Sequence, residues 1–195
     1  MVIREARSAD ASAIARVHVE TWRSAYAGIV REDVLANMSL QRCEMGHRAA
    51  IGGGGQGCWT LVAEEEAAAG VVGFARGGAE RCGNAVFRGE IYALYVLAEH
   101  QRRGIGRALV AAVAAELLAH GMHSVLIWAL KENPSRGFYE NLGGRYVGEK
   151  EVTIGGDSLV EVAYGWEDIR PLARATDRSS SDASTAKGDA PCSEQ

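Results

Sequence analysis

The chain lacks most of the features that mark a metal, membrane or nucleic-acid protein. Its four cysteines, Cys43, Cys58, Cys82 and Cys192, are scattered. They form no CxxC pair and have no histidine clustered beside them. Neither a zinc site nor a disulfide framework is expected, and the thiols read as free in a reducing cytosol. The five histidines (His18, His47, His100, His120 and His123) show no metal-ligand spacing. No run approaches the roughly 18 apolar residues needed to cross a bilayer. Arg4, Glu5, Arg7 and Asp10 precede any apolar stretch, so no secretory leader is expected. With 21 basic against 25 acidic residues the formal net charge is −4, which lacks the basic excess of a nucleic-acid surface and is compatible with a cationic substrate. No internal repeat is found. The expectation is a cytoplasmic protein without metal, nucleic-acid or membrane partners.

What is present is ordinary globular composition, 47% hydrophobic and 24% charged over 195 residues, enough for one domain with a sizeable core. Val2 to Arg4 reads as a short strand. Ser8 offers a helix N-cap, and Ile14, Val17 and Trp22 follow at helical spacing until about Tyr26 to Gly28. A second helical stretch, Arg31 to about Ile51, stops at the glycine run 52–55. That run follows a helix and precedes a strand, the reverse of a phosphate loop, and reads as a connector. Cys58 to Glu64 and Val71 to Gly77 are strand-like and predict a hairpin. Gly89 to Leu97 is rich in aromatic and β-branched residues and reads as a central strand. An alanine-rich helix carries Ile105, Leu109, Val113 and Leu117 to about His120. A strand from Ser124 to Leu130, a short helix from Pro134 to Leu142, and a hairpin of 145–149 with 159–166 complete a mixed α/β (α+β) sheet. One domain is expected over 1–170. A polar, disordered tail is expected over 171–195, because from Arg174 onward large apolar residues vanish.

The segment that carries chemistry is Gln101-Arg102-Arg103-Gly104-Ile105-Gly106-Arg107, between a strand and a helix. A helix start presents unpaired N–H groups and the positive end of a dipole. Gly104 and Gly106 let the backbone approach phosphate oxygens, and Arg102, Arg103 and Arg107 add positive charge. Solvated arginines on a tightly packed helix start would give the same pattern. A dinucleotide fingerprint is excluded because Leu109 stands where its third glycine would be, and a Walker loop because the Gly-Lys-Ser/Thr ending is missing.

This Gln-x-x-Gly-x-Gly hexad is followed at a distance by Asn133-Pro134-Ser135-Arg136-Gly137-Phe138-Tyr139-Glu140-Asn141-Leu142-Gly143. Together, and with Ile3-Arg4-Glu5-Ala6, Asp10, Trp22 and Tyr26 near the start, these motifs resemble the GNAT superfamily of acetyl-CoA-dependent N-acetyltransferases. The resemblance spans about Val2 to Trp166.

It implies a mostly antiparallel sheet that splays after its fourth strand, flanked by helices, with acetyl-CoA as co-substrate in the opening. Backbone groups of Leu94, Tyr95 and Val96 would pair with the pantetheine amides, and an N–H there would face the thioester oxygen. Arg102, Arg103, Gly104, Ile105, Gly106 and Arg107 would hold the pyrophosphate. Tyr139 matches the tyrosine that protonates the leaving thiolate. On the short helix Phe138 and Leu142 share a face, and Tyr139, about 100° around, is free to point into the groove. Asn133 would contact the CoA chain; before Pro134 it also reads as a helix cap. Glu90 stands as far before the hexad glycine as the catalytic glutamate of the histone-acetylating branch. It is a candidate general base, acting through water because it lies about 13 Å along the strand from Leu94, and equally a solvated strand-end carboxylate. Trp22 and Tyr26 would line the acceptor side, or close the first helix onto the core. The expected acceptor is a primary amine of a small molecule; a protein or peptide amine, or a non-catalytic acyl-CoA sensor, is the alternative. Homodimers are common among such proteins, but no residue here specifies one.

Overall fold

The computed structural model describes residues 1–53, 57–66 and 70–174. A single seven-stranded sheet has the order β1-β2-β3-β4-β5-β7-β6. Its strands are β1 (Val2–Glu5), β2 (Cys58–Glu65), β3 (Gly70–Ala79), β4 (Gly89–Val96), β5 (Val125–Leu130), β6 (Arg145–Ile154) and β7 (Asp157–Trp166). Every neighbouring pair is antiparallel except β4 and β5. The helices are α1 (Ala11–Ala25), α2 (Glu32–Ala36), α3 (Leu40–Gly52), α4 (Ile105–Ala119), α5 (Arg136–Asn141) and α6 (Arg170–Ala173).

α4 covers one face. Its Leu109, Val113 and Leu117 are fully buried with Ile91, Ile127 and Val162 from the strands. The helix comes close because β3 and β4 present glycines beneath it. A Cβ on Gly77 would sit 2.6 Å from Val113 Cγ1, and one on Gly89 would sit 2.9 Å from Leu117 Cδ1. The other face is covered by α1, whose Ile14 and Val17 pack on Val62, Phe74 and Leu97. Farther along it, Tyr26, Val30 and Leu35 close on Leu130. Among the described residues no helix is long and apolar enough to cross a membrane.

Several boundaries differ from expectation for physical reasons. Residues Ser8–Asp10 form a 3-10 turn and α1 begins at Ala11, so Ser8 is not its cap. Asp10 accepts from the Arg7 N–H and pairs with Arg4, which also holds Glu64 and so ties β1 to β2. The stretch expected as one helix from Arg31 to Ile51 is broken at 37–39. Ser39 caps α3 there by accepting from the Arg42 N–H at 3.2 Å. β6 and β7 run several residues longer than expected and meet at Gly155-Gly156, both at positive φ. The ordered unit also continues past 170, because α6 packs on α4 through buried Leu172. The connector 54–56, the hairpin tip 67–69 and the tail from 175 lie outside the described residues.

Candidate active site

β4 and β5 pair over only three positions, Gly89 with Val125, Glu90 with Leu126 and Ile91 with Ile127. Beyond them β4 stays with β3, where Leu94 opposes Ala75, Tyr95 opposes Phe74 and Val96 opposes Gly73. β5 stays with β7, where Trp128 opposes Ala163 and Leu130 opposes Glu161. The sheet therefore opens as a wedge, with Leu94, Tyr95 and Val96 on one lip and Trp128 to Leu130 on the other. A register irregularity lies where the two part. Gly77 opposes Ile91 but Arg76 opposes Ala93, which leaves Tyr92 as the extra residue of a bulge. Backbone on an unpaired strand edge has N–H and C=O groups free for a ligand.

β4 leads through a turn into the hexad loop. Gln101 fastens that loop by donating from Nε2 to the Val96 carbonyl at 3.0 Å. Arg102 has φ 60 and Gly104, the residue before α4, has φ 83. A left-handed arginine is costly and is held only where its surroundings impose it. None of the N–H groups of residues 102–107 has a backbone partner among the described residues, whereas the Ala108 N–H returns to Gly104 at 3.0 Å. Arg102 and Arg107 are exposed. Arg103 is shared with Glu65, 3.2 Å away, so its charge is partly countered within the protein. Gly106 has a packing reason of its own: a Cβ there would meet the Phe138 ring at 3.3 Å, where α5 crosses the start of α4. The result is a row of amides and two guanidinium groups at the end of the wedge that have no partner among the described residues, a binding geometry for an anion.

Tyr139 differs from its helical-wheel expectation. It is the buried residue of α5, only 7% exposed, while Phe138 and Leu142 are half-buried. Its ring packs on Phe138 and on Tyr164, with centroids 5.4 and 5.7 Å away. α5 is a six-residue helix that meets α4 through Phe138 and β7 through Tyr139, Glu140 and Leu142, so periodicity alone does not choose which face is buried. Burial raises the Tyr139 phenol above its ordinary range, with the Tyr26 and Tyr164 hydroxyls adding to the effect. It stays protonated at neutral pH, so its hydroxyl carries a proton that it can donate.

The structure brings Trp22, Tyr26, Tyr95, Asn133 and Tyr139 together. The Trp22 indole donates to the Tyr95 hydroxyl at 2.9 Å and packs edge-on against Tyr26 at 4.9 Å. Asn133 Nδ2 donates to the Tyr26 hydroxyl at 3.4 Å. The Tyr95 phenol is raised by burial first and then by the Tyr26 hydroxyl, while the Trp22 hydrogen bond opposes the rise. Asn133 does not cap α5; its Oδ1 accepts from the Ser135 N–H at 2.8 Å in a turn that precedes the helix.

Glu90 is the expected site residue that stands apart. It is 2% exposed, and both carboxylate oxygens are held by the Arg81 guanidinium, with Nε 3.1 Å from Oε2. Arg81 in turn lies 4.1 Å over the Tyr92 ring. The carboxylate is not solvated: it is buried, and both its oxygens accept from Arg81. It sits at the paired end of β4 beneath the β3–β4 connection and anchors that connection to the sheet.

Two residues that the sequence reading passed over face the wedge from the α1 side, Glu161 on β7 and Trp128 on β5. Glu161 contributes to the raised values of Tyr26 and Tyr95. The Trp128 indole N–H is occluded and has no hydrogen-bond partner among the described residues. An open concavity beside the α1–α2 turn, lined by Arg23, Ile29, Arg31 and Asp157 among others, contains none of the expected donor or acceptor residues. Cys43, Cys58 and Cys82 are free thiols.

The family described as FR47-like protein matches residues 71–153, from β3 through the hexad loop and Tyr139 into β6. The uncharacterized N-acetyltransferase YuaI of Bacillus subtilis is 36% identical over 178 residues, covering 91% of this chain and 99% of the relative. Among solved structures, the PaiA N-acetyltransferase of Thermoplasma acidophilum in complex with coenzyme A superposes with a TM-score of 0.66 at 20% identity, covering 82% of this chain and 96% of that one. The ribosomal-protein-alanine N-acetyltransferase of Brucella melitensis gives 0.63 at 24% identity, covering 85% and 99%. The wedge between β4 and β5, the glycine loop before α4 and the 36% identity to an N-acetyltransferase over nearly its full length agree, and the chain belongs to the GNAT superfamily of N-acetyltransferases.

Proposed function

We propose that the chain transfers acetyl from acetyl-CoA to a primary amine of a small molecule, by direct attack within a ternary complex. The observation that carries this reading is the parting of β4 from β5 after Ile91, together with the loop after β4, whose amides at 102–107 have no backbone partner among the described residues. A diphosphate would accept from those amides and from Arg102 and Arg107, while the pantetheine arm lies along Leu94 to Val96 as an added strand. Arg103, Gly104, Ile105 and Gly106 contribute backbone to the same cradle, and Asn133 approaches the arm from the opposite lip.

In the reaction the neutral amine nitrogen attacks the thioester carbonyl carbon. The C–N bond forms, the C–S bond breaks, and the amine's surplus proton leaves to water. An N–H at the Leu94 to Val96 lip stabilises the oxyanion. Tyr139 gives its phenolic proton to the departing thiolate and recovers one from solvent. Trp22 and Tyr26 form the acceptor wall. Because both Glu90 oxygens are engaged by Arg81, the reading assigns Glu90 a positioning role rather than that of the base.

Release of free CoA thiol, followed across a panel of small amines and peptides, tests this reading. Turnover with small amines supports it, and turnover with peptides alone moves the acceptor to a protein amine. Tight acetyl-CoA binding without thiol release for any acceptor would make the chain a sensor instead.

A further inference from the structure

On the α1 side of the wedge, three residues form a polar group that donor binding does not use. Trp128 is the first β5 residue beyond the last β4–β5 pair. Glu161 opposes Leu130 on β5 and Lys150 on β6. Directly opposed antiparallel residues share a face, as do residues two apart on one strand, so Trp128, Glu161 and Lys150 all point the same way. The Lys150 ammonium lies 4.0 Å from the centroid of the Trp128 ring and 3.5 Å from Glu161 Oε2.

The protein thus already places a primary ammonium against an aromatic face and beside a carboxylate, at the base of the opening where β4 and β5 separate. An aromatic face and an anion are what an alkylammonium binds. The Lys150 side chain is 41% exposed and that of Glu161 is 23% exposed, so the pair is reachable and weakly held. Lys150 extends from edge strand β6 and can swing into water when replaced. Leu130, which opposes Glu161, packs with Tyr26 and Trp22 and joins this group to the wall they form.

We propose that the Trp128 ring and the Glu161 carboxylate form the acceptor-ammonium subsite, and that Lys150 occupies it until a cationic alkylamine displaces it. This inference rests on the acetyl-transfer reading and narrows its acceptor to alkyl diamines: the subsite holds one end as the ammonium, while the other end, its proton lost to water, is the neutral nucleophile. Lys150 acts as a built-in competitor, and its removal has the opposite effect to removal of Glu161.

The test is calorimetric titration of the CoA-bound protein with 1,4-diaminobutane, with 1-butanol as the uncharged control. The diamine binds and the alcohol does not; Glu161→Gln and Trp128→Leu each weaken diamine binding by about 10-fold or more, and Lys150→Met strengthens it several-fold. CoA affinity is the same in all four proteins, which shows that the variants are folded. Absence of diamine binding to the wild type overturns the proposal. So does a Lys150→Met variant that weakens binding as Glu161→Gln does, because Lys150 and Glu161 are then only a structural pair. If CoA itself does not bind, the donor-site reading fails, and the same titrations of the free protein still decide the subsite.

Discussion

Asn133 reaches across the wedge to Tyr26: its Nδ2 donates to the phenol at 3.4 Å, joining the β5–α5 turn to the end of α1. A residue expected to touch the donor is thereby bonded to one expected to touch the acceptor. The bond is long, so its worth is at the low end for a hydrogen bond, under about 1 kcal/mol. Asn133→Ala should raise the KM for amine by less than about fivefold, with a smaller change in kcat. Steady-state kinetics at saturating acetyl-CoA reads this, and an unchanged KM for both substrates would remove Asn133 from the site.

Tyr139→Phe should lower kcat by about 10²-fold while leaving acetyl-CoA affinity unchanged, since the ring's packing on Phe138 and Tyr164 survives. Single-turnover thiol release compared with calorimetry separates the two effects. Full activity in a folded variant would exclude the phenol as the proton donor.

Glu90→Gln should act on stability rather than on the pH–rate profile. Loss of the charge leaves Arg81 with an uncharged partner. Because Arg81 is more than half exposed, water recovers part of the loss, and about 1–3 kcal/mol is expected by urea denaturation. A shift in the acid limb of kcat/KM without destabilisation would restore Glu90 as the base.

Gly77→Ala places a methyl group 2.6 Å from Val113 Cγ1, under the middle of α4. Overpacking there should cost about 1–3 kcal/mol. A thermal unfolding midpoint equal to that of the wild type would mean that α4 is less tightly seated than its buried side chains indicate.

His18 stacks on Tyr95 and lies 3.1 Å from His47, ring nitrogen to ring nitrogen. Burial, and then the His47 ring, lower the His18 value to about 4, and burial followed by Arg76 lowers that of His47. The unfolded chain therefore binds protons that the folded chain refuses. The stabilising contribution is present above the unfolded value, about 6.5, and is lost as pH falls through about 4. Urea midpoints measured between those limits should decline with pH, and His18→Phe should flatten the decline. An equal slope in the variant would assign the loss to other groups.

The sequence makes legible what local patterning controls. Alternating β-branched residues mark the strands, i, i+4 apolar steps mark α4, and a glycine-bearing helix start marks the anion loop between Gln101 and Arg107. What depends on tertiary contact is not legible. The orientation of Tyr139 is decided by α4 and β7 around a six-residue helix, not by the 3.6-residue period. The partner of Glu90 depends on the β3–β4 connection folding back to deliver Arg81, which no spacing announces. Ser39 is an N-cap signal that the continuous reading of 31–51 passed over. Glu161 and Lys150 had a usable signal in the Gly155-Gly156 turn. A two-residue turn pairs Ile154 with Asp157, and counting outward along that register pairs Lys150 with Glu161.

Titration of the purified protein with coenzyme A, and in parallel with pantetheine, addresses the central claim most directly. If the amides of 102–107 hold the diphosphate, coenzyme A binds at least about 10²-fold more tightly than pantetheine, the worth of one or two charge-assisted hydrogen bonds. Equal affinities, or no heat with either ligand, would contradict the account.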